Sequence, residues 1–277
     1  MLLKQKLLET QKHKSALLAV NFYNLETLQG ILAAASELHR PVILQLSPAS
    51  IAYIGLNTSV SLARAAMMEY DVEGWLHLDH ASSVRAVSEA LDAGFDSVMI
   101  DASDRPLNEN IKITRQAVDL AKSYNACVEA ELGYVAKLGE SQSKKSLTVP
   151  SEAKLFADET GVDTLAVAIG SAHGFYRGEP GLDLDLLSEI SRSASVPLVL
   201  HGASGIPDIT IKEAVLRGIC KINLATETKQ IFMNTLKQEL ARSSEIDLRK
   251  IFPPAIHAVR ALIISKLKEI PNSQDAF

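Results

Sequence analysis

The stretch Trp75-Leu76-His77-Leu78-Asp79-His80 decides how the fold of the whole chain is predicted. Its apolar residues suit a buried strand, and its last two residues place a carboxylate and an imidazole where such a strand would open into a site. Successive side chains of a strand point to opposite faces, so Asp79 and His80 share a site only if the backbone leaves strand geometry there. Taken alone, the pair fits a solvated turn after a core strand better than a site, and other parts of the chain must decide.

The bulk composition is that of a globular protein with a large core. Hydrophobic residues make up 47% and charged residues 22% of the 277 residues, so extensive disorder is not expected. The length fits two ordinary domains or one α/β barrel of roughly 250 residues. The net charge of −5 and a pI near 5.8, without a basic tract, argue against nucleic acid or an anionic membrane as the main partner.

The lack of a recognisable targeting signal and the positions of the two cysteines indicate a reducing compartment. In the first nine residues charged side chains interrupt the leucines, so this segment lacks the long apolar run of a signal peptide. No later apolar run reaches transmembrane length. Cys127 and Cys220 lie in apolar runs, so we expect buried free thiols rather than a disulfide. We therefore expect a cytoplasmic protein.

Eight strand candidates alternate with helices along the chain. The predicted strands are 16–21, 42–47, 75–80, 97–101, 126–131, 164–168, 198–201 and 221–224. The predicted helices between and after them are 25–39, 58–70, 82–93, 108–124, 150–160, 185–194, 208–217 and 226–242. With no obvious linker, this alternation favours a single domain over residues 1–277, a (β/α)8 TIM barrel with an extra N-terminal helix and an extra C-terminal helix, over a doubly wound open sheet.

In such a barrel all strand C-termini share one face, which would bring His80, His173 and His201 together after the third, sixth and seventh strands. Three histidines around an open fourth position form the arrangement of a catalytic Zn²⁺. Four more polar residues would join them on that face: Asp79, Asp101, Glu131 and Asn223. The remaining histidines, His13, His39, His77 and His257, lie in helix-like or mid-strand positions and are interpreted as structural.

Two turns fall where barrel enzymes often bind phosphate. Gly202-Ala203-Ser204-Gly205 follows the seventh strand and Asn223-Leu224-Ala225-Thr226 follows the eighth. Backbone N–H groups beside glycine, hydroxyls and a helix N-terminus suit a phosphate dianion, although an ordinary turn explains a glycine-serine motif equally well. Metal, phosphate and carboxylate together suggest making or cleaving a bond next to a carbonyl in a phosphorylated sugar, with the metal stabilising an enediolate; metal-dependent hydrolysis fits less specifically.

These residues resemble a known family, the class II ketose-bisphosphate aldolases. The matching runs cover most of the chain in family order: Asn21, Asn24-Leu25-Glu26-Thr27, His77-Leu78-Asp79-His80, Val98-Met99-Ile100-Asp101-Ala102-Ser103, Glu129-Ala130-Glu131-Leu132-Gly133, Ala168-Ile169-Gly170-Ser171-Ala172-His173-Gly174, His201-Gly202-Ala203-Ser204 and Asn223-Leu224-Ala225-Thr226-Glu227. The resemblance implies that the three histidines bind the catalytic Zn²⁺ and that Asp79 exchanges the proton of the sugar hydroxyl at the cleaved bond. It also implies that Asp101 and Glu131 hold a second, inward position of the metal.

The resemblance further implies a phosphorylated-sugar substrate and a homodimer or homotetramer. The residues that match the family's dihydroxyacetone phosphate contacts are Gly174, Gly202, Ala203, Ser204, Asn223, Leu224, Ala225 and Thr226, with Asn21 and Ser47 as weaker substrate candidates. A monovalent cation, Na⁺ or K⁺, is implied near Gly174 and Ser204.

The chain departs from the family pattern in two places. Residues 134–146, interpreted as a mobile loop, read Tyr134-Val135-Ala136-Lys137-Leu138-Gly139-Glu140-Ser141 in place of a Gly-Gly-x-Glu-Asp type run, and Glu140 is the candidate for the loop glutamate's proton-transfer role. Ala225 stands where many fructose-specific members carry a polar residue, and the run Asn223-Leu224-Ala225-Thr226 looks more like the tagatose-bisphosphate branch. The epimer of the ketose substrate therefore stays open. The alternatives are a zinc hydrolase and a non-catalytic barrel subunit that supports a partner aldolase; the retained Asp79 and the three histidines count against the second.

Overall fold

The structure, a computed structural model, describes residues 1–135, 147–174 and 181–271. Eight parallel strands form a closed barrel in which each strand pairs with the next and the eighth pairs with the first. The strands are β1 (Leu17–Asn21), β2 (Val42–Leu46), β3 (Gly74–Ala81), β4 (Ser97–Ile100), β5 (Cys127–Leu132), β6 (Thr164–Val167), β7 (Leu198–Leu200) and β8 (Ile219–Leu224). The predicted (β/α)8 barrel is confirmed.

Helices connect the strands and cover the outside of the barrel. They are α1 (Leu3–Lys12), α2 (Leu25–Glu37), α3 (Pro48–Ile54), α4 (Leu56–Glu69), α5 (Val84–Ala93), α6 (Leu107–Ala121), α7 (Pro150–Thr160), α8 (Leu184–Ser193), α9 (Asp208–Leu216), α10 (Thr226–Arg242), α11 (Leu248–Ile251) and α12 (Pro253–Glu269). The extra N-terminal and C-terminal helices are α1 and α12. The sequence pattern missed α3 and the single turn of α11.

Strand alternation separates the two faces of the barrel wall. In β3, Leu76 and Leu78 belong to the large apolar core between the strands and the helices. Trp75, His77 and Asp79 lie on the opposite face of the strand, as the two-residue period requires. The inward face of this strand therefore changes from aromatic to ionisable toward its C-terminal end.

The N-terminal end of the barrel is closed by apolar side chains. A second cluster, called here the basal cluster, joins α1 to the barrel interior and consists of Leu3, Leu7, Leu17, Ala19, Ile43, Trp75, Cys127 and Cys220. Both cysteines are buried free thiols, as expected from the sequence. Within the described ranges no helix is long and apolar enough to span a bilayer.

Candidate active site

The backbone at the end of β3 leaves strand geometry where the site requires it. His80 has a positive φ of 56°, and the pairing of β3 with β4 shifts register between Leu78 and Ala81. A histidine with positive φ is uncommon and carries strain of order 1 kcal/mol or more, which functional sites often retain. Because strand alternation ends here, Asp79 and His80 both reach the mouth of the barrel.

The loops that carry His173 and His201 touch through a glycine. Gly202 has a φ of 67°, and a Cβ at this position would overlap the backbone of Ala172. Only glycine fits both the left-handed conformation and the close approach. The sequence Ala172-His173 is thereby held against His201-Gly202, which brings the two imidazoles to a ring-centroid distance of 5.7 Å.

Four candidate ligand groups converge at the mouth of the barrel. Single ligand atoms of His80, Glu131, His173 and His201 all lie within 4.8 Å of one another. His80 Nε2 lies 3.0 Å from His201 Nδ1, and Glu131 Oε2 lies 3.9 Å from that same nitrogen. Glu131 Oε2 is buried without a hydrogen-bond partner, which a buried carboxylate oxygen rarely tolerates. Imidazole nitrogens facing one another beside an unpaired carboxylate fit a divalent cation such as zinc.

Asp101 stands behind His80 rather than among these four groups. Its Oδ2 lies 2.7 Å from His80 Nδ1, and its Oδ1 accepts hydrogen bonds from the N–H and the hydroxyl of Ser103. A carboxylate that holds the far nitrogen of a ligating histidine fixes the orientation of the ring. The alternative metal position that involves Asp101 and Glu131 stays a prediction.

The ionisable groups of the cluster have displaced pKa values. Burial lowers the pKa of His80, but the carboxylates of Asp79, Asp101 and Glu131 outweigh it and raise the value to about 9. Burial and the two neighbouring histidines lower the pKa of His173 to about 3. Burial raises the pKa of Glu131 above its ordinary value. A cation that binds here must therefore displace a proton from His80.

Asp79 is fixed beside the cluster by two amides. Its Oδ2 accepts a hydrogen bond of 2.9 Å from Asn21 Nδ2, and its Oδ1 lies 3.5 Å from Asn223 Nδ2 and 3.9 Å from His80 Nε2. Burial raises the pKa of this carboxyl, but His80, His201 and Lys221 lower it to about 2. Asp79 is therefore ionised at neutral pH and able to accept a proton.

Most of the predicted phosphate contacts line one small recess together with Asp79, His80 and His173. The recess, of about 50 Å³, is lined by Asn21, Asp79, His80, His173, Gly174, Gly202, Ser204, Asn223, Ala225 and Thr226. It shares seven of these residues with an open cleft of about 910 Å³ that Ser47 also lines. Ala203 and Leu224 instead bury their side chains in the large core, so any contact they make with substrate is through the backbone.

The family follows from comparison of the whole chain. Residues 2–275 match the model of the family described as fructose-bisphosphate aldolase class-II. The chain belongs to this family. It is 40% identical over 277 residues to a probable fructose-bisphosphate aldolase of Bacillus subtilis (strain 168), covering 98% of this chain and 97% of the relative. It is 38% identical over 265 residues to the D-tagatose-1,6-bisphosphate aldolase subunit GatY of Klebsiella oxytoca, covering 94% and 93% of the two chains.

A solved structure supports the same conclusion. The crystal structure of the YdjI aldolase from Escherichia coli K12 matches with a TM-score of 0.88 and 32% identity, over 99% of this chain and 98% of that one. The chain therefore resembles aldolases in both its sequence and its fold.

In this aldolase the two predicted phosphate turns are tied together. Glu227 Oε1 accepts a hydrogen bond of 2.6 Å from the N–H of Gly205, and the N–H of Glu227 donates to Ser204 Oγ at 3.3 Å. Lys266 of α12 lies 3.6 Å from Glu227 Oε2. Ala225 provides no side-chain cap for α10, so the first N–H groups of this helix other than that of Glu227 can face an anion.

Sequence reasoning missed several residues that line the wider cleft: Tyr23, Ser103, Arg105 and Lys229. Lys229 Nζ lies 5.3 Å from the ring centroid of Tyr23. A usable signal existed for Lys229, because it lies three residues after Thr226 and therefore on the same face of α10. Arg105 and Lys229 are cationic side chains in the cleft outside the inner recess, and Arg105 Nε lies 3.5 Å from Asp104 Oδ1. Glu140 and the rest of 136–146 lie outside the described residues.

Proposed function

We propose that this aldolase reversibly cleaves a ketose 1,6-bisphosphate of the tagatose or fructose type to dihydroxyacetone phosphate and an aldehyde such as glyceraldehyde 3-phosphate. His80, His173 and His201 would hold a Zn²⁺ ion, with Glu131 as a further or alternative ligand. The observation that carries the proposal is the inner recess, where an ionised Asp79, two of the histidines and most of the phosphate candidates lie together. The third histidine, His201, is buried beside it, with its Nδ1 3.0 Å from His80 Nε2. Bound Zn²⁺ supplies a Lewis acid for the substrate's oxygens.

Asp79 is the proposed base for cleavage. Asn21 donates to one carboxylate oxygen, and the other lies between Asn223 Nδ2 at 3.5 Å and His80 Nε2 at 3.9 Å. In the cleavage direction Asp79 takes the proton of the substrate hydroxyl, the aldehyde forms as the adjacent carbon-carbon bond breaks, and the electron pair stays on the dihydroxyacetone phosphate carbon. In the synthetic direction Asp79 returns the proton to the new hydroxyl.

The phosphate of dihydroxyacetone phosphate is proposed to bind at Gly174, Gly202, Ser204 and the N-terminus of α10. The N-terminus of α10, where Ala225 provides no side-chain cap, and the position of Gly174, Gly202 and Ser204 in the recess support this assignment. The distal phosphate is proposed to bind near Arg105 and Lys229, whose cationic side chains line the outer cleft. A monovalent cation at Gly174 and Ser204 stays a prediction from the resemblance.

Glu140 is proposed to move the proton at the dihydroxyacetone phosphate carbon. The support is its position in the sequence, in the long segment that follows the Glu131 strand. If Glu140 has this role, Glu140→Ala should slow solvent hydrogen exchange into dihydroxyacetone phosphate by roughly 10² to 10⁴ with zinc content unchanged. Exchange at the parent rate would assign the proton transfer to another group.

The same exchange reaction tests the function as a whole. Incubation of the zinc-loaded protein with labelled dihydroxyacetone phosphate should exchange one specific hydrogen with solvent, which neither a zinc hydrolase nor a non-catalytic subunit would do. A screen of ketose bisphosphates, with the stereochemistry of the products determined, would then identify the epimer. Absence of both exchange and cleavage, with zinc bound, would contradict the proposal.

The oligomeric state and the cellular location of the enzyme are proposed from the family. The resemblance implies a homodimer or homotetramer, and a cytoplasmic location fits a family of metabolic aldolases. Light scattering on the purified chain would test the assembly, because a monomer mass of 30.0 kDa in solution would contradict it.

A further inference from the structure

Three ionisable side chains are buried inside the barrel directly beneath the proposed metal site. His77 of β3 is 0% exposed, and Glu129 of β5 and Lys221 of β8 are each 1% exposed. None of the three lines the recess or the cleft among the residues described. Burial of a lysine and a glutamate is expensive, and an apolar pair of similar volume is often at least as stable. Folding alone therefore gives no reason for this pair.

The three residues form a connected chain that ends on His201. Glu129 Oε2 lies 2.8 Å from Lys221 Nζ, and Glu129 Oε1 lies 2.8 Å from His201 Nε2. On the far side, Lys221 Nζ lies 3.5 Å from His77 Nε2, and His77 Nδ1 lies 2.8 Å from Ser97 Oγ. Strands on opposite sides of the barrel are thus joined through Glu129.

This geometry determines which nitrogen of His201 faces the proposed metal. A carboxylate only accepts hydrogen bonds, so the proton of the imidazole lies on Nε2 and is donated to Glu129. Asn223 Nδ2 lies 3.0 Å from the same nitrogen, but an amide N–H cannot accept that proton. The lone pair is then on Nδ1, which faces His80 Nε2 at 3.0 Å.

We propose that Glu129 and Lys221 form a positioning pair that holds His201 with Nδ1 toward the metal. Glu129 accepts the ring proton, while Lys221 fixes the second carboxylate oxygen and balances its charge. Neither side chain reaches the recess, so both act through His201. This inference rests on the metal site of the proposed function, and it assigns a role to two residues outside that site.

The test is metal affinity, which a purely structural role would leave unchanged. Glu129→Gln places an amide N–H₂ between two donors, and Lys221→Met removes the group that fixes the carboxylate. Each should weaken zinc binding by about 10 to 100-fold, the range known for lost partners of metal-ligating histidines. The double variant should lose less than the product of the two single losses, because a glutamine oxygen can accept from His201 once the lysine is absent.

Zinc affinity is measured by competition with a chelator, and the visible absorption of the Co²⁺-substituted protein reports the geometry of the ligands. Thr164→Val is the matched control: Thr164 pairs in register with Glu129, is 1% exposed, and its hydroxyl has no hydrogen-bond partner. This variant should keep parent affinity and the parent Co²⁺ spectrum.

Circular dichroism identifies variants that fold. If Lys221→Met does not fold, Glu129→Asp keeps the test decisive, because it retains the charge and withdraws the carboxylate from His201. Folded Glu129 variants with parent zinc affinity and parent Co²⁺ spectrum would overturn the proposed pair while leaving the metal site intact. Absence of zinc binding by the parent protein would instead refute the metal site of the proposed function, and the positioning role with it.

Discussion

The two ends of the barrel are built from the same strands but have opposite chemistry. Along β3 the inward residues change from Trp75 through His77 to Asp79, and along β5 from Cys127 through Glu129 to Glu131. At the N-terminal end Trp75 and Cys127 belong to the apolar basal cluster. At the C-terminal end the inward groups are ionisable and one of them is unpaired. Apolar burial stabilises the fold at one end, and the fold holds costly polar groups for chemistry at the other.

The largest effect should come from removing a metal ligand at the C-terminal end. His80→Ala, His173→Ala and His201→Ala should each lose stoichiometric zinc and abolish measurable turnover, because a three-ligand site that loses one donor keeps poor geometry and weak affinity. Metal analysis measures the zinc content, and the aldol cleavage assay measures turnover. Chelation of the parent enzyme should also remove zinc and abolish turnover. His257→Ala, on the exposed face of α12, is the control. Full zinc and full turnover in all three variants would refute the ligand assignment.

Asp79→Asn should reduce kcat by roughly 10² to 10⁴ while zinc stays bound. The amide keeps the shape of the side chain and its neighbours but does not accept a proton at neutral pH. Steady-state kinetics and metal content decide the outcome, with Asp92→Asn on the outer surface of α5 as the control. A higher KM with unchanged kcat would instead assign Asp79 to substrate binding.

At the N-terminal end the expected effect is on stability and not on catalysis. Leu7 of α1 is 1% exposed within the basal cluster, and Leu7→Ala should destabilise the protein by about 2–5 kcal/mol. Leu8→Ala, at a neighbouring position that is 53% exposed, should cost much less. Urea unfolding measures the difference, and kcat per folded molecule should match the parent in both variants. A large fall in kcat for Leu7→Ala would mean that the two ends are coupled.

The sequence indicated which side chains meet at the C-terminal end because its signals are local. Each of His80, His173 and His201 follows an apolar run, and the barrel topology brings strand ends together regardless of their separation in the chain. The missed α3 had a signal as well, since Ser47 caps the helix and Pro48 opens it. Only Gly55 separates this short helix from the longer α4.

The pair beneath the site could not be found in the same way. The predicted eighth strand began at Lys221, which would leave the lysine at a solvated strand end, whereas the structure begins the strand at Ile219 and buries the side chain. The motif around Glu131 contained Glu129 but did not indicate which carboxylate faces the metal. The burial of Lys221 and the choice between the two glutamates both depend on contacts across the barrel interior, and strand periodicity carries no information about such contacts.

The smallest effect concerns the middle level of the barrel and the pH dependence of stability. Burial, and then the neighbouring Lys221, lower the pKa of His77 to about 3, whereas an unfolded histidine has a pKa of about 6.5. Between these values the unfolded chain binds a proton that the folded chain does not, so stability falls as the pH falls from about 6.5 toward 3. This stability is fully present above pH 6.5.

His77→Gln removes the titrating group but keeps a polar side chain in the same place. The midpoint of urea unfolding of the zinc-free protein should therefore fall less steeply between pH 6.5 and 4 in this variant than in the parent. His257→Gln on the exposed surface of α12 should retain the parent slope. Equal slopes in His77→Gln and the parent would mean that His77 is protonated in the folded state. Lys221 would then face a second cation in the barrel interior, which would be inconsistent with the charge balance inferred for the Glu129 and Lys221 pair.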